Sequence, residues 1–197
     1  MNDRTQTKWI LAAFVMAMLS VTVAGANDAP TVAEQIGGMQ AMCADTEQAR
    51  AQRQADDALY NRLGGYDRIL EFTTEVVRLH NQNDAIRHLF TRVDLEALAK
   101  HVADFFAAGT GGSASYTGRA MPAAHQHLHL TDADFVSAGG DIVTAMQSLD
   151  YGQEEIDEVV CILVSLKDEE ADPATGEPSV RAWRILDGKA FEVPITA

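Results

Sequence analysis

The sequence predicts an all-α domain over residues 58–168, and three observations carry this prediction. Apolar residues recur at helical spacing from Leu59 to about Lys167. Glycines break the pattern at Gly64-Gly65, Gly111-Gly112, Gly139-Gly140 and Gly152. The segment Thr131-Asp132-Ala133-Asp134 matches a capping box, in which a hydroxyl and a carboxylate satisfy free backbone amides, so a helix is predicted to begin before Phe135.

The first element, residues 1–26, is typical of an export signal. Arg4 and Lys8 precede an apolar run from Trp9 to Val23, and Ala24-Gly25-Ala26 offers a small-residue cleavage site. We therefore expect a periplasmic or secreted protein that contacts no membrane beyond this segment. The alternative is an uncleaved membrane anchor formed by residues 9–26, because this run approaches the ~20 residues that a membrane span requires.

Residues 27–57 are predicted to form a polar, partly helical N-terminal arm, rich in Ala, Gln, Asp and Glu. Val32, Ile36, Met39 and Cys43 follow one another at steps of four, three and four residues. This spacing places them on one helical face, which we expect to dock on the main domain.

Charge and cysteine content limit the partners and the covalent structure. The formal net charge is −14, and such a surface repels phosphate backbones, which argues against nucleic acid as a partner. Cys43 and Cys161 either form one disulfide in an oxidising compartment or remain separate thiols. The second alternative is open because Cys161 lies in an apolar run where a free cysteine packs well.

The C-terminal part of the chain changes character after Lys167. Residues 169–179 form a charged linker that contains two prolines. Residues 180–197 form an extension in which two apolar stretches flank Asp187-Gly188, a tight-turn signal that predicts a short β-hairpin.

Two groups of histidines are candidates for metal binding. His101 lies at the edge of a helical stripe defined by Leu98, Val102 and Phe105, where a histidine is usually a packing residue. His125, His127 and His129 alternate, and in an extended segment they would share a face and could hold a divalent metal. Pro122 and the neighbouring alanines favour a short helix instead, which weakens a three-histidine site.

The order and spacing of several short motifs resemble group I truncated haemoglobins over about Leu59 to Lys167. The matching segments are Leu59-Tyr60-Asn61-Arg62-Leu63-Gly64-Gly65, Phe90, Phe105-Phe106-Ala107-Ala108-Gly109-Thr110-Gly111-Gly112, Tyr116-Thr117-Gly118-Arg119-Ala120-Met121, Ala124-His125 and Phe135. The resemblance implies a shortened globin fold, a two-over-two helical sandwich in which two helices stack over two others around a haem.

The resemblance also implies the residues that contact the haem. His125 matches the proximal histidine that ties the iron to the protein. Phe90 matches the phenylalanine that packs on the porphyrin, Phe135 and Met121 match proximal and edge contacts, and Leu98 matches a gate residue. The expected cofactor-binding set is Phe90, Leu98, His101, Val102, Arg119, Met121, His125 and Phe135.

Several positions depart from the family pattern. The distal tyrosine and the phenylalanine before it fall at Val77 and Val76, and the frequent distal glutamine falls at Val102. His101 matches the position where certain cyanobacterial members place a second, distal iron ligand. The histidine that those members bond covalently to the haem falls at Asp168, and the chain contains no Cys-x-x-Cys-His motif, so we expect non-covalent haem b.

The favoured function is therefore reversible binding of oxygen, nitric oxide or carbon monoxide at a haem iron, with a redox partner as a further candidate. One alternative is a six-coordinate redox or sensor protein in which His101 and His125 both bind iron. Another is a non-haem module that binds a divalent metal. Nitric oxide dioxygenase or peroxidase activity is not favoured, because the replaced tyrosine and glutamine would have been the preorganised hydrogen-bond donors.

Overall fold

The computed structural model of the protein describes residues 29–167. Over this range the chain forms seven α-helices: α1 (Val32–Asp56), α2 (Leu59–Arg62), α3 (Gly65–Gln82), α4 (Leu95–Gly109), α5 (Met121–His125), α6 (Asp132–Ser148) and α7 (Gln153–Lys167). Two short 3-10 helices occupy Arg87–Phe90 and Gln126–Leu128, and this part of the chain contains no β-strand. The predicted signal segment, C-terminal linker and hairpin lie outside the described residues.

The hydrophobic core lies between two helix pairs, α3 with α4 and α6 with α7, and α3 also packs on α6. At its centre Phe72 of α3 meets Phe106 of α4 edge to face, with 5.6 Å between the ring centroids. Met146 of α6 and Val159 of α7 are completely buried in the same cluster. The all-α prediction is confirmed, and the two pairs form the predicted two-over-two sandwich. Between residues 29 and 167, none of the helices has both the length and the apolar character of a membrane span.

Side-chain caps explain where three of the helices begin. The predicted capping box at α6 is present: the Asp134 amide donates to the Thr131 hydroxyl at 3.2 Å, and the Thr131 amide donates to the Asp134 carboxylate at 2.9 Å. Thr31 and Glu34 form the same arrangement at α1. Asp94 caps α4 by accepting from the amide of Ala97 at 3.0 Å. Each such cap typically stabilises a helix by about 1 kcal/mol.

The glycine pairs differ in what they do. Gly64 and Gly111 have φ values of 88° and 102°, a left-handed conformation that glycine adopts without a Cβ clash. A Cβ at Gly112 would lie 2.6 Å from the carbonyl oxygen of Ala107, so a larger residue would displace the end of α4. The predicted break at Gly139-Gly140 is wrong, because both glycines lie inside α6, where the capped start and the buried residues Ile142 and Met146 keep the helix continuous.

The N-terminal arm is a 25-residue helix, α1, that lies against α7 and α6. The predicted docking face is confirmed, since Ile36 is buried and Met39 and Cys43 pack on the core. A disulfide joins Cys43 to Cys161 of α7, which decides between the two alternatives left open for the cysteines. The arm is thus more helical than expected, and a covalent bond fixes its middle to the domain.

The end of α1 is fixed by charge. Glu158 of α7 is only 4% exposed, and it accepts from Arg53 Nε and from Arg62 Nη2, each at 2.6 Å. Arg62 also donates to Glu155 at 2.9 Å, and these hydrogen bonds hold the pKa of Arg62 raised although burial opposes this. A buried carboxylate is tolerated here because two guanidinium groups compensate its charge.

Candidate functional site

His125 lies at the end of α5, a helix of five residues that begins Met121-Pro122. Its imidazole is half-buried, and Nδ1 is 2.9 Å from the backbone oxygen of Met121. A carbonyl oxygen can only accept a hydrogen bond, so Nδ1 must carry the proton in this contact. In the neutral ring, Nε2 therefore keeps its lone pair and is the atom able to bind a metal.

This arrangement fits the proximal role that the resemblance implies for His125. Histidines that bind metals usually donate their other ring N–H to a backbone carbonyl or carboxylate, which fixes the ring orientation and the tautomer. The hydrogen bond to Met121 supplies that partner within a single turn of helix. An imidazole held in this way suits a haem iron, for which a proximal histidine is the usual globin ligand.

The three-histidine metal hypothesis finds no support in the structure. After α5 the chain continues as a 3-10 helix, and His129 has a φ of 50°, so His125 and His129 do not share a continuous helical face. His127 and His129 are both exposed. Within residues 29–167 no three metal-binding side chains come close enough to hold an ion.

Aliphatic side chains of α3 and α4 occupy the positions matched to the distal side. Val76 and Val77 on α3 are buried, and Leu98 and Val102 on α4 are half-buried. These residues provide apolar surface and no side-chain hydrogen-bond donor. Their assignment to the distal side of a haem stays a prediction of the family resemblance.

The remaining candidates lie on the two sides of His125 along the chain. Phe135 and Met121 are half-buried and pack against the core, and the ammonium of Lys167 lies 6.0 Å from the centre of the Phe135 ring. Arg119 is exposed, its backbone oxygen accepts from Tyr116 at 3.0 Å, and its guanidinium contacts the carbonyl of Ala123 at 3.4 Å.

His101 is exposed on α4. No hydrogen bond to its side chain occurs within the described range, whereas its neighbours Lys100 and Asp104 form an ion pair at 2.8 Å that Tyr66 joins through its hydroxyl. The imidazole thus forms no side-chain hydrogen bond between residues 29 and 167. Its role as a distal iron ligand stays a prediction.

A polar cluster that the sequence reasoning did not identify lies beside Phe90. His80, near the end of α3, places Nδ1 at 2.8 Å from Asp141 of α6, and its ring lies against Phe90 with 5.5 Å between centroids. Burial lowers the pKa of His80, although Asp141 opposes this shift. One signal could have revealed it: His80 follows Phe72 and Val76 at steps of eight and four residues, on the buried stripe of α3.

Comparisons with known proteins agree with the fold described above. Residues 58–171 match the family described as bacterial-like globin. The group 1 truncated hemoglobin GlbN of Mycolicibacterium paratuberculosis is 28% identical over 134 residues, which are 67% of this chain and 97% of that protein. The GlbN of a Synechocystis species is 27% identical over 108 residues, 53% of this chain and 87% of that protein.

Two solved structures are similar to this chain. The 2/2 hemoglobin of a Synechococcus species, described with covalently attached heme, has a TM-score of 0.54 and 30% identity, covering 57% of this chain and 95% of its own. The truncated hemoglobin of Tetrahymena pyriformis has a TM-score of 0.51 over 58% of this chain and 94% of its own, and at 19% identity it bears on the fold alone.

Proposed function

Because the chain belongs to the bacterial-like globin family, we propose that it is a haem protein that reversibly binds a small diatomic ligand, such as oxygen, nitric oxide or carbon monoxide. The observation that carries this proposal is the hydrogen bond from His125 Nδ1 to Met121, which leaves Nε2 free to hold the iron. Bound haem would supply an iron coordination position at which such a ligand binds and leaves.

The side chains matched to the distal side favour reversible ligand binding over reactions of bound oxygen or peroxide. Val76, Val77 and Val102, the residues matched to the distal side, are buried or half-buried aliphatic side chains that donate no hydrogen bond. Rapid dioxygenation or peroxide cleavage needs preorganised donors where negative charge develops. We therefore propose a binding role, in which ligands that gain little from a hydrogen-bond donor, such as carbon monoxide, bind well relative to oxygen.

We further propose that the haem is b-type and held without a covalent bond. The chain has no Cys-x-x-Cys-His motif, and Asp168 stands where covalent members of the family place a histidine. Extraction with acidified butanone tests this point, since a non-covalent haem passes into the organic layer. Red colour that stays with the protein would contradict b-type binding.

The decisive experiment is haem titration of the purified protein, followed by ferric, ferrous and carbon monoxide spectra. We expect one haem per chain, confirmed as the pyridine haemochrome, and a shift of the ferrous Soret band with carbon monoxide that reverses when the gas is removed. The proposal would be overturned if the protein stayed colourless after haem addition. It would also be overturned if carbon monoxide left the ferrous spectrum unchanged.

Export to the periplasm or medium is a further proposal. The Cys43–Cys161 disulfide supports it, because disulfides persist mainly in oxidising compartments. Mass spectrometry of protein from its native host tests it, with a mature N-terminus expected near Asn27. Protein that retains Met1 in a soluble cytoplasmic fraction would contradict export.

A further inference from the structure

We propose that His80 is a positioning residue for the haem: anchored by Asp141, its ring supports Phe90 against the porphyrin. This inference rests on the proposed haem function. It concerns a cluster of four residues, defined here as the α3–α6 polar cluster, that joins the end of α3 to α6. Its members are His80, Asn83, Ser137 and Asp141.

The hydrogen bonds of the cluster converge on one carboxylate oxygen. Asp141 Oδ2 lies 2.8 Å from His80 Nδ1 and accepts from Asn83 Nδ2 at 2.9 Å. The same Asn83 nitrogen donates to the Ser137 hydroxyl at 3.0 Å. The side chains of His80 and Asp141 are only 12% and 17% exposed, so water screens these bonds little.

The anchor fixes the plane of the His80 ring. A carboxylate accepts and cannot donate, so Nδ1 carries the proton and the neutral tautomer is defined. With Nδ1 directed at Asp141, the ring meets Phe90 at 5.5 Å between centroids and a tilt of 34°. The hydrogen bond to Asp141 thus fixes the orientation of the His80 ring, and packing against this ring limits the orientations open to Phe90.

Two features separate this role from a general tie between helices. Asn83 by itself can join the end of α3 to α6, because it bonds both Asp141 and Ser137. This link therefore does not require His80. Phe90 ends a 3-10 helix whose start has no side-chain cap, and its ring is half-buried. The aromatic ring that packs beside Phe90 is that of His80, which is thus placed to support it.

The test compares haem release from four variants, measured as transfer of haem from the loaded protein to an excess of a haem-free acceptor globin. His80→Leu removes the supporting ring but keeps both bonds of Asn83. Asp141→Ala removes the anchor, whereas Asp141→Asn keeps an acceptor oxygen of the same shape. Tyr151→Phe is the control, because it deletes partly buried hydrogen bonds to the backbone oxygens of Leu63 and Arg68 and touches no member of the α3–α6 polar cluster.

We expect His80→Leu and Asp141→Ala to release haem about threefold to tenfold faster, the effect of losing one buried hydrogen bond or ring contact. Both should also change the Soret circular dichroism, which responds to aromatic rings packed beside the haem. Asp141→Asn should rescue both properties. Tyr151→Phe should lower thermal stability and leave both unchanged.

Normal haem release and an unchanged Soret signal in His80→Leu would overturn the inference, even if that variant melts earlier. Should Asp141→Ala fail to fold, His80→Leu decides alone, since Asn83 still joins α3 to α6 in it. Failure of the wild-type protein to take up haem is a different result, which would contradict the proposed function itself.

Discussion

Two regions of this molecule are held together in different ways. A disulfide and the Arg53–Glu158 ion pair fix α1 to α7, and Arg62 of α2 binds the same buried carboxylate of Glu158. Around the candidate site, His125 ends a helix of five residues and is half-buried, and His101 is exposed. The disulfide and the ion pairs of Glu158 thus involve none of the residues proposed to hold the cofactor.

This difference indicates that one region mainly stabilises the fold and the other mainly binds the cofactor. The family match begins at residue 58, so α1 lies outside it and is added to the shared globin region. Bonds concentrated at α1 and α7 stabilise the fold without restricting the loop and short helix that carry His125. Changes in one region should therefore affect stability, and changes in the other should affect the cofactor.

The largest effect is expected at His125. His125→Ala should abolish stable haem retention, because no other histidine lies at the end of α5 with its Nδ1 bonded to a backbone carbonyl. Without haem the variant should also lose the stability that a ligand bound only by the native state provides. His127→Ala is the matched control, since this neighbouring histidine is exposed and should be dispensable. Full haem occupancy in His125→Ala would show that the proximal assignment is wrong.

Next in size is the disulfide. Replacing Cys43 and Cys161 together with alanine should reduce the free energy of unfolding by about 2–5 kcal/mol, because the bond joins residues 118 apart in sequence and closes a long loop in the unfolded chain. Urea unfolding monitored by circular dichroism measures the loss. A dithiol reductant should destabilise the wild type to a similar extent and leave the variant unchanged. The carbon monoxide spectrum should be the same in both, and a changed spectrum would contradict the separation of the two regions.

The disulfide also shows where prediction from the sequence ends. The spacing of Ile36, Met39 and Cys43 predicted the docking face of α1, because helical periodicity is a local property. The partner of that face could not be predicted, since pairing Cys43 with Cys161 depends on how residues 118 apart in sequence meet in space. Local signals likewise predicted the capping box of Thr131 but misjudged Gly139-Gly140, where tertiary packing keeps α6 continuous.

The candidate site shows a similar limit. The place of His125 could be predicted from the order of neighbouring motifs, but its hydrogen bond to Met121 depends on the short helix α5. The cluster around His80 remained hidden because Asp141 lies 61 residues away along the chain. Contacts between distant helices follow from packing, and a single sequence contains no direct record of them.

A smaller loss is expected when the buried charge at α7 is removed. Glu158→Ala should destabilise the fold by about 1–3 kcal/mol, less than for an isolated buried pair, because Arg62 keeps Glu155 and Arg53 keeps Glu154. Glu158→Gln, which preserves shape and one acceptor oxygen, should lose less. Urea midpoints of the two variants measure the difference. Equal midpoints for Glu158→Ala and the wild type would show that the ion pairs of Glu158 do not stabilise the fold.

A substitution at His101 tests the region proposed to hold the cofactor. We predict that it binds the iron in the absence of an external ligand, because Val77 and Val102 place no competing polar group at the distal positions. His101→Leu should then convert the ferrous spectrum from six- to five-coordinate and accelerate carbon monoxide binding by about tenfold, which corresponds to about 1.4 kcal/mol for the displaced bond. Five-coordinate spectra in both proteins would instead leave His101 as an exposed residue of α4.

The smallest expected effect is a pH dependence of stability at His80. Burial lowers the pKa of this histidine in the folded protein below its ordinary value of 6.5. Between the lowered pKa and 6.5, the unfolded chain binds a proton that the folded chain does not, so stability rises with pH in that window. The contribution is complete above pH 6.5 and is lost as the pH falls through the folded pKa. One proton limits the slope to about 1.36 kcal/mol per pH unit.

Comparison with His80→Phe isolates this contribution from those of the other histidines. The variant keeps an aromatic ring beside Phe90 but cannot titrate, so the difference between its unfolding free energy and that of the wild type should vary with pH only below about 6.5. Asp141 is the carboxylate that faces the ring, and its hydrogen bond moderates the shift, so Asp141→Asn should steepen the dependence. A difference that stays constant from pH 7 down to pH 5 would mean that His80 has the same proton affinity folded and unfolded. The hydrogen bond and charge of Asp141 would then fully offset the effect of burial on the pKa of His80.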